Sequence, residues 1–565
     1  MNRLVRSQHL SWFQRGEAVF LYHDLYGFLL EMSLDLKGFL DFFSEPRAPD
    51  EAVPHFAGTF APEQCREFGS VFAQTRALVA EGELELDGLA DAYPIKGPWI
   101  VAARGDDGTV TAVTSRGFGH EPWAQPQVLK LDPWQSELWR RIDGERSIRQ
   151  LAADLTEAYD GEPGLDLGRA IVSVAAWTNA SRQLTRVLLK PKSQHARLPP
   201  YATSTMPYAP LGSPQGHELA HDLAAYHQGQ IDDAEVQFEE RETTLSHLFC
   251  EPHPALGGQT YGEAVARAAW QRGWLGAGRA RVVEVGGGTG RLAEALLRTW
   301  QDALFVNYTI IELSPELQAA QQRRLAAFGE RVQTTAGHAE RLELPDASVD
   351  FLLSNEALAD FRIGFVSREA LRTGAVDAET TPEALEIARH YQLTTHKAPE
   401  PIPVQMGATR FIEQVSRVLA PGGHALLTEF GAEEQYPIES THLDHAEWSV
   451  HFGHLMAVAR QLGLEATLVP VPQLLGLQGD VWVLACNRTQ FRNLRHLVRL
   501  HGGDLKKRAL TPDQLALACG QALPPQRIEG LQFRPAGERV MGLVPNEFQA
   551  LVLHKPDVLH TPDIG

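Results

Sequence analysis

Apolar and polar positions along this chain alternate in a way that predicts strands and helices in two unlike halves. Near the start, Ala18-Val19-Phe20-Leu21-Tyr22 and Gly27-Phe28-Leu29-Leu30 read as short strands. Helical periodicity follows over residues 33–43, and again from Pro62 to a stop at Gly82. The next hundred residues repeat that order. Strands at Trp99–Ala103 and Thr109–Val113 flank the turn Gly105-Asp106-Asp107-Gly108. Asp132-Pro133 then opens a helix, Ser147 caps another, and a last helical pattern runs from Leu167 to Leu189. Two stretches, 1–88 and 89–192, thus carry the same element order, as a tandem duplication of small α+β domains would.

Residues 193–275 begin with a Pro-, Ser- and Gly-rich linker and continue as helical segments, a candidate cap over a substrate site. From 276 to 557 the pattern becomes that of an α/β sheet domain, followed by a short tail at 558–565. Its opening unit is the apolar run Arg281-Val282-Val283-Glu284-Val285, the turn Gly286-Gly287-Gly288-Thr289-Gly290, and a helix from Arg291. Glycines there let the backbone turn tightly and approach a ligand beside a helix N-terminus. Taken alone, such a turn serves NAD, FAD or S-adenosylmethionine. A second strand, Tyr308–Ile311, ends in Glu312-Leu313, where an acid can accept both ribose hydroxyls. Glu284 is expected to face the cofactor through water or its amino group. A third strand, Val332–Thr335, leads to His338-Ala339-Glu340, placed to flank an adenine. A fourth, Ser348–Leu353, delivers Ser354-Asn355-Glu356 to the carboxyl edge of the sheet. A helix at Phe411–Leu419, the turn Pro421-Gly422-Gly423, and a fifth strand, His424–Thr428, ending at Glu429, complete the series.

The run Glu284 to Gly290 resembles the cofactor turn of class I S-adenosylmethionine-dependent methyltransferases, which implies a Rossmann-like fold and that cofactor. With Tyr308–Glu312, Ser354-Asn355-Glu356, Glu429-Phe430-Gly431, Ser449–Phe452, Gln473, Met541-Gly542 and Phe548–Leu553, the chain from Ser246 to Pro556 resembles the MidA-like methyltransferases. That family includes an assembly factor that dimethylates a protein arginine, so the resemblance implies methyl transfer to a protein or peptide nitrogen. The chain departs from it at Asn355-Glu356-Ala357-Leu358-Ala359-Asp360, where the acid is displaced and a proline is missing. Glu429-Phe430-Gly431 stands where the family has Asp-Tyr-Gly, and 362–402 is a long added segment. The acceptor mouth is therefore expected to be remodelled around an intact cofactor cradle. Leu131–Leu155 and Tyr22–Phe43 resemble the PqqD-like winged-helix fold, a leader-peptide recognition element. This implies a peptide added as a strand beside the wing.

The remaining chemistry narrows these expectations. Alignment of the acceptor opposite the departing sulfur is most of what the protein must supply. Glu356 and Glu429 are candidates to orient a guanidinium, with Asn355 as a hydrogen-bonding positioner. His445 and His451 are candidate proton acceptors or substrate contacts. His442, Asp444, His445, His451 and His454 also invite a metal reading through their three-residue spacings, but the chain has 22 histidines and Trp448 and Phe452 intervene, so no metal is assigned. A formal charge of −20 opposes a nucleic-acid partner, and Cys65, Cys250, Cys486 and Cys519 form no CxxC pair. With neither a signal peptide nor a membrane span legible, a soluble cytoplasmic enzyme is expected, with a homodimer as an option. Three classes stay open: a protein or peptide methyltransferase, a small-molecule O- or N-methyltransferase, and an assembly protein that binds the cofactor with little turnover.

Overall fold

A computed structural model describes residues 3–7, 10–15, 18–23, 29–81, 89–97, 100–115, 126–158, 167–177, 187–190, 243–276, 278–442 and 445–557. They fall into two compact units. One comprises Met1–His217 with Asn487–Leu505 and Leu515–Leu531; the other comprises Glu218–Cys486, Lys506–Gln514 and Gln532–Gly565.

Within the first unit, two blocks share one topology. Leu4–Arg6 pairs antiparallel with Leu78–Ala80, just as Tyr93–Lys96 pairs with Val187–Lys190. Each block carries a three-stranded meander, Leu10–Arg15/Ala18–His23/Leu29–Ser33 in one and Val101–Arg104/Val110–Ser115/Pro126–Lys130 in the other. Helices follow each meander. The expected helix starts at Asp132 and Ser147 are capped, Asp132 accepting from Gln135 N and Ser147 from Gln150 N, and Ser33 accepts from Leu36 N in the first block.

Two helices are shorter than their apolar patterns suggest. The helix from Pro62 ends at Gln74 rather than Gly82, because Arg76 takes a φ of +63° and Leu78–Ala80 is drawn into the strand pair with Leu4–Arg6. The described part of the later helix is Leu167–Trp177, and Val187–Lys190 is a strand beside Tyr93–Lys96. In both places Leu- and Val-rich segments satisfied either period, and pairing with a distant strand decided between them.

The second unit is built on a sheet whose strands are β1 (Gly278–Val285), β2 (Leu304–Glu312), β3 (Val332–Ala336), β4 (Val349–Asn355), β5 (Leu419–Ala432), β6 (Glu465–Pro470) and β7 (Phe548–His554). Their order across the sheet is β3-β2-β1-β4-β5-β7-β6, parallel except for β7, which runs against β5 and β6. This is a Rossmann-like sheet whose order reverses between β1 and β4, and ligands bind at the carboxyl edge of such a switch point. Helices α1 (Arg291–Trp300), α2 (Pro315–Leu325), α3 (Met406–Val418) and α4 (Phe452–Gln461) cover it. Val283, Leu352, Phe411, Val415, Leu427, Leu455 and Leu551 lie in one continuous core. β5 begins at Leu419, ahead of the expected His424. Pairing jumps from Val349↔Leu419 to Phe351↔His424, so Pro421-Gly422-Gly423 forms a bulge within the strand instead of a turn before it.

The 362–402 segment carries helices Arg368–Thr373 and Pro382–His390, and its ends pair as the hairpin Gly364–Val366/Ile402–Val404. Among the described residues no helix is long and apolar enough to cross a membrane.

Candidate active site

β1 ends in the glycine turn. Gly286, Gly288 and Gly290 have φ of +75°, +51° and +79°, a region costly for side chains with a Cβ. Gly287 has no room for one either: a Cβ there would lie 2.7 Å from the Ile310 side chain. Gly286 N donates to Ile311 O at 3.0 Å, which fixes the turn against β2. Gly290 precedes α1 and, having no side chain, gives it no side-chain cap.

Glu312 closes β2 and is 5 % exposed. Ser314 N donates to its Oε1 at 3.1 Å, and Gln321 Nε2 to its Oε2 at 3.2 Å. The same Gln321 nitrogen donates to Gly288 O at 2.8 Å, so one amide joins the glycine turn to the acid. Leu313 follows, half-buried. Glu284 lies beneath the turn with its carboxyl carbon 3.4 Å from where a Gly287 Cβ would stand. Tyr308 Oη donates to it at 2.8 Å. Burial pushes the Glu284 pKa up to about 7, the Tyr308 hydrogen bond opposing and the Glu312 charge reinforcing the rise. It is 1 % exposed, so the acid expected to face the cofactor lies in the interior beside Tyr308.

Past β3, the His338 ring nitrogen Nδ1 accepts from Glu340 N at 3.2 Å, and Ala339 is buried. The Glu340 carboxylate forms an ion pair with Arg362, whose guanidinium also reaches Glu383 at 2.9 Å. At the tip of β4, Ser354 Oγ donates to Val285 O at 3.1 Å and holds β4 to β1.

Asn355, Glu356 and Glu429 come together at the tips of β4 and β5, where the chain's own donors engage them. Asn355 Oδ1 accepts from Tyr261 Oη at 2.7 Å and Thr428 Oγ1 at 2.8 Å, while its Nδ2 donates to Glu356 Oε2 at 3.1 Å. Glu356 has a φ of +53°. Its carboxylate accepts from Leu245 N at 2.7 Å, Ser246 N at 3.1 Å and the Ser246 hydroxyl. It thereby caps the short helix Leu245–Leu248. Glu429 is 2 % exposed and accepts from Ala359 N at 3.1 Å and Phe430 N at 2.9 Å. Burial raises its pKa well above the usual carboxylate range, against the two backbone hydrogen bonds, which lower it.

The histidines divide. His442 and His445 face each other across the hairpin Glu439–His442/His445–Trp448, so their spacing is that of a turn and not of a helical face. Their side chains, and Asp444, lie outside the described residues. His451 Nδ1 accepts from His454 N at 3.2 Å and caps α4. Its ring stacks on that of His454 at 3.8 Å. Burial, with the neighbouring His454, lowers the His451 pKa to about 3. A neutral imidazole whose Nδ1 lone pair is engaged carries its proton on Nε2, which leaves it nothing with which to accept one. The expected role of His451 as a proton acceptor is therefore lost to helix capping. Among the described residues no group of three or more His, Cys, Asp or Glu side chains could hold a metal ion.

Sequence reasoning passed over Gln321, Tyr308 and Tyr261. Gln321 did leave a signal: it interrupts the buried stripe Leu317, Ala320, Gln321, Leu325 of α2 with a polar side chain. The two tyrosines pattern as core residues.

An acid at the tip of β2, a turn without Cβ atoms and an uncapped helix N-terminus fit a nucleoside that carries an amino acid. Comparison with known proteins points the same way. Residues 265–451 match the family model described as "Putative S-adenosyl-L-methionine-dependent methyltransferase". No curated protein matches the chain. Among solved structures it is similar to a sarcosine dimethylglycine methyltransferase from Galdieria sulphuraria, at 12 % identity, 56 % of this chain and 95 % of that one, with a TM-score of 0.28. It is similar also to a 1,6-didemethyltoxoflavin N1-methyltransferase from Burkholderia thailandensis, at 18 % identity, 38 % and 72 % of the two chains, with a TM-score of 0.23. A third is the [4+2]-cyclase SpnF, at 19 % identity, 53 % and 83 %, with a TM-score of 0.29. TM-scores this low support no statement about this chain's acceptor. The sheet order, the glycine turn and the family match together make residues 265–451 an S-adenosylmethionine-dependent methyltransferase domain, with S-adenosylmethionine as its cofactor.

Proposed function

We propose that this domain transfers a methyl group from S-adenosylmethionine to a nitrogen or oxygen of a small molecule. The state of the two acids at the tips of β4 and β5 carries this reading. To clamp a guanidinium, a carboxylate must be ionised and present free lone pairs. Glu356 already accepts from Leu245 N, Ser246 N, Ser246 Oγ and Asn355 Nδ2, and Glu429 is buried, accepts from Ala359 N and Phe430 N, and is disfavoured as the anion by burial. A small acceptor that needs no cation clamp suits this edge better than the protein arginine implied by the MidA-like resemblance.

On the cofactor side, Glu312 is assigned to the ribose hydroxyls and the turn Gly286, Gly288 and Gly290 with α1 to the methionine end. Leu313, His338, Ala339 and Glu340 are assigned to the surroundings of the adenine. Glu284 and Ser354 hold that cradle in shape, and Asn355 keeps the β4 tip in register with Tyr261 and Thr428. The bound cofactor supplies an electrophilic methyl group; the domain's part is to align the acceptor with it.

The test is S-adenosylhomocysteine release by the full chain with methyl-labelled cofactor, offered small amines and phenols or arginine-containing peptides. Label in small molecules is expected. Label confined to arginine peptides would overturn the proposal.

One observation favours a second reading, in which a peptide is recruited by the amino-terminal blocks, as the PqqD-like resemblance implies. In the second block the sheet edge Val101–Arg104 already holds an added strand, Ile528–Glu529. Glu529 is anchored by Lys96 Nζ at 2.9 Å and Trp139 Nε1 at 3.2 Å. An edge of this topology can therefore take a strand, and the chain fills this one itself. A peptide substrate would then use the corresponding edge, Leu10–Arg15, of the first block. Cross-links from a photoreactive acceptor peptide to that strand would support it, and cross-links elsewhere would exclude it.

A further inference from the structure

The face that α2 turns to the glycine turn is a row of donors. Gln318 Nε2 donates to Glu312 O at 3.0 Å, Gln321 Nε2 to Gly288 O and Glu312 Oε2, and Arg324 Nε to Thr289 O at 2.9 Å. Gln321 is the central member and is 0 % exposed. Both partners of its amide nitrogen are acceptors, so the amide has one workable orientation: an oxygen in that place would meet two lone pairs. Its Oε1 is consequently turned into the interior, where it has no hydrogen-bond partner among the described residues. An acceptor is left unsatisfied so that a single nitrogen can tie the turn to the acid.

We infer that Gln321 is a positioning residue for cofactor recognition. By holding Gly288 and the Glu312 carboxylate on one nitrogen, it sets the distance between the turn that takes the methionine end and the oxygens that take the ribose. The inference rests on Glu312 as the ribose acid. Loss of the amide unties the carboxylate from the turn and leaves its Oε2 without that donor, so hydroxyl recognition weakens more than contacts to the rest of the cofactor.

The measurement is titration of the full chain with S-adenosylhomocysteine and with its 2′-deoxy analogue, for wild type, Gln321→Met, Gln321→Glu and Glu312→Ala. Methionine keeps the length and volume of glutamine without its donors. Gln321→Met is expected to bind S-adenosylhomocysteine roughly tenfold more weakly and to lose most of its preference over the deoxy analogue. Gln321→Glu sets a second acid beside Glu312. It should bind more weakly still at pH 8 and recover as the pH falls, since a protonated acid donates one hydrogen bond. That recovery distinguishes positioning from general damage to the fold, and it remains readable if the methionine variant does not fold. Wild-type discrimination in Gln321→Met, or equal loss for both ligands together with no recovery in Gln321→Glu, overturns the inference. Unchanged discrimination in Glu312→Ala would instead remove the ribose assignment on which it rests.

Discussion

Acids stand at the strand tips on both sides of the switch point, yet they are held differently. At β2, Glu312 accepts from Ser314 N on one oxygen and from Gln321 Nε2 on the other. At β4, three donors converge on Glu356 Oε2 and Leu245 N on Oε1, while Glu429 at β5 is buried and accepts from the Ala359 and Phe430 N–H groups. The lesson is that a strand-end acid is available to a ligand only where the surrounding backbone does not use it up. Residue type and position alone do not separate a ligand-binding acid from a helix cap.

Four measurements can break or sharpen this contrast. The largest effect is expected for Glu356→Ala, which leaves Leu245 N and Ser246 N without their acceptor. Loss of about 2–4 kcal/mol of stability is expected from the denaturant midpoint. An unchanged midpoint would mean the cap is dispensable and would return Glu356 to the list of acceptor contacts. Glu312→Ala should act on binding as well, weakening S-adenosylmethionine by about 10- to 100-fold through lost charge-assisted hydrogen bonds. Calorimetric titration checks this.

Glu284→Gln addresses the acid that belongs to neither ligand. Its pKa rises from 4.5 to about 7 on folding. Between those values the folded protein holds a proton the unfolded chain has released, so this group makes stability fall as the pH rises, and the loss is complete above pH 7. Glutamine has no such proton. Relative to wild type, the variant should gain on the order of 2 kcal/mol between pH 5 and pH 8, measured by unfolding at both. A constant difference would show that Glu284 ionises as freely in the fold as outside it. The smallest effect is expected at His451: asparagine can cap α4 as the imidazole does, so His451→Asn should lose only the packing of the ring, about 1 kcal/mol, and leave turnover near wild type. A large drop in turnover at unchanged stability would restore a chemical role.

The glycine turn and the acid that ends β2 were legible in the sequence because their requirements are local. A turn with φ near +75° at Gly286 needs glycine, and Glu312 need only end a strand one αβ unit later. The acceptor side was not legible, since Glu356 meets Leu245 and Ser246 across more than a hundred residues of sequence. His451 misled for a related reason: a histidine at the start of a helix looks chemical until its Nδ1 is seen to accept from His454 N. Leu78–Ala80 and Val187–Lys190 fit the helical period of the segments before them, and only their antiparallel partners made them strands.

What the sequence determined by itself was therefore the alternation of strands and helices, the glycine turn and the acid after β2, because each depends on backbone preferences and spacing within a few dozen residues. Tertiary structure alone decided which donors hold each acid, that Gln321 ties Gly288 to Glu312, and that Ile528–Glu529 extends a sheet begun four hundred residues earlier. Hydrogen-bond donors have fixed valence, and where each is spent depends on which distant segments the fold brings within 3 Å or so of one another.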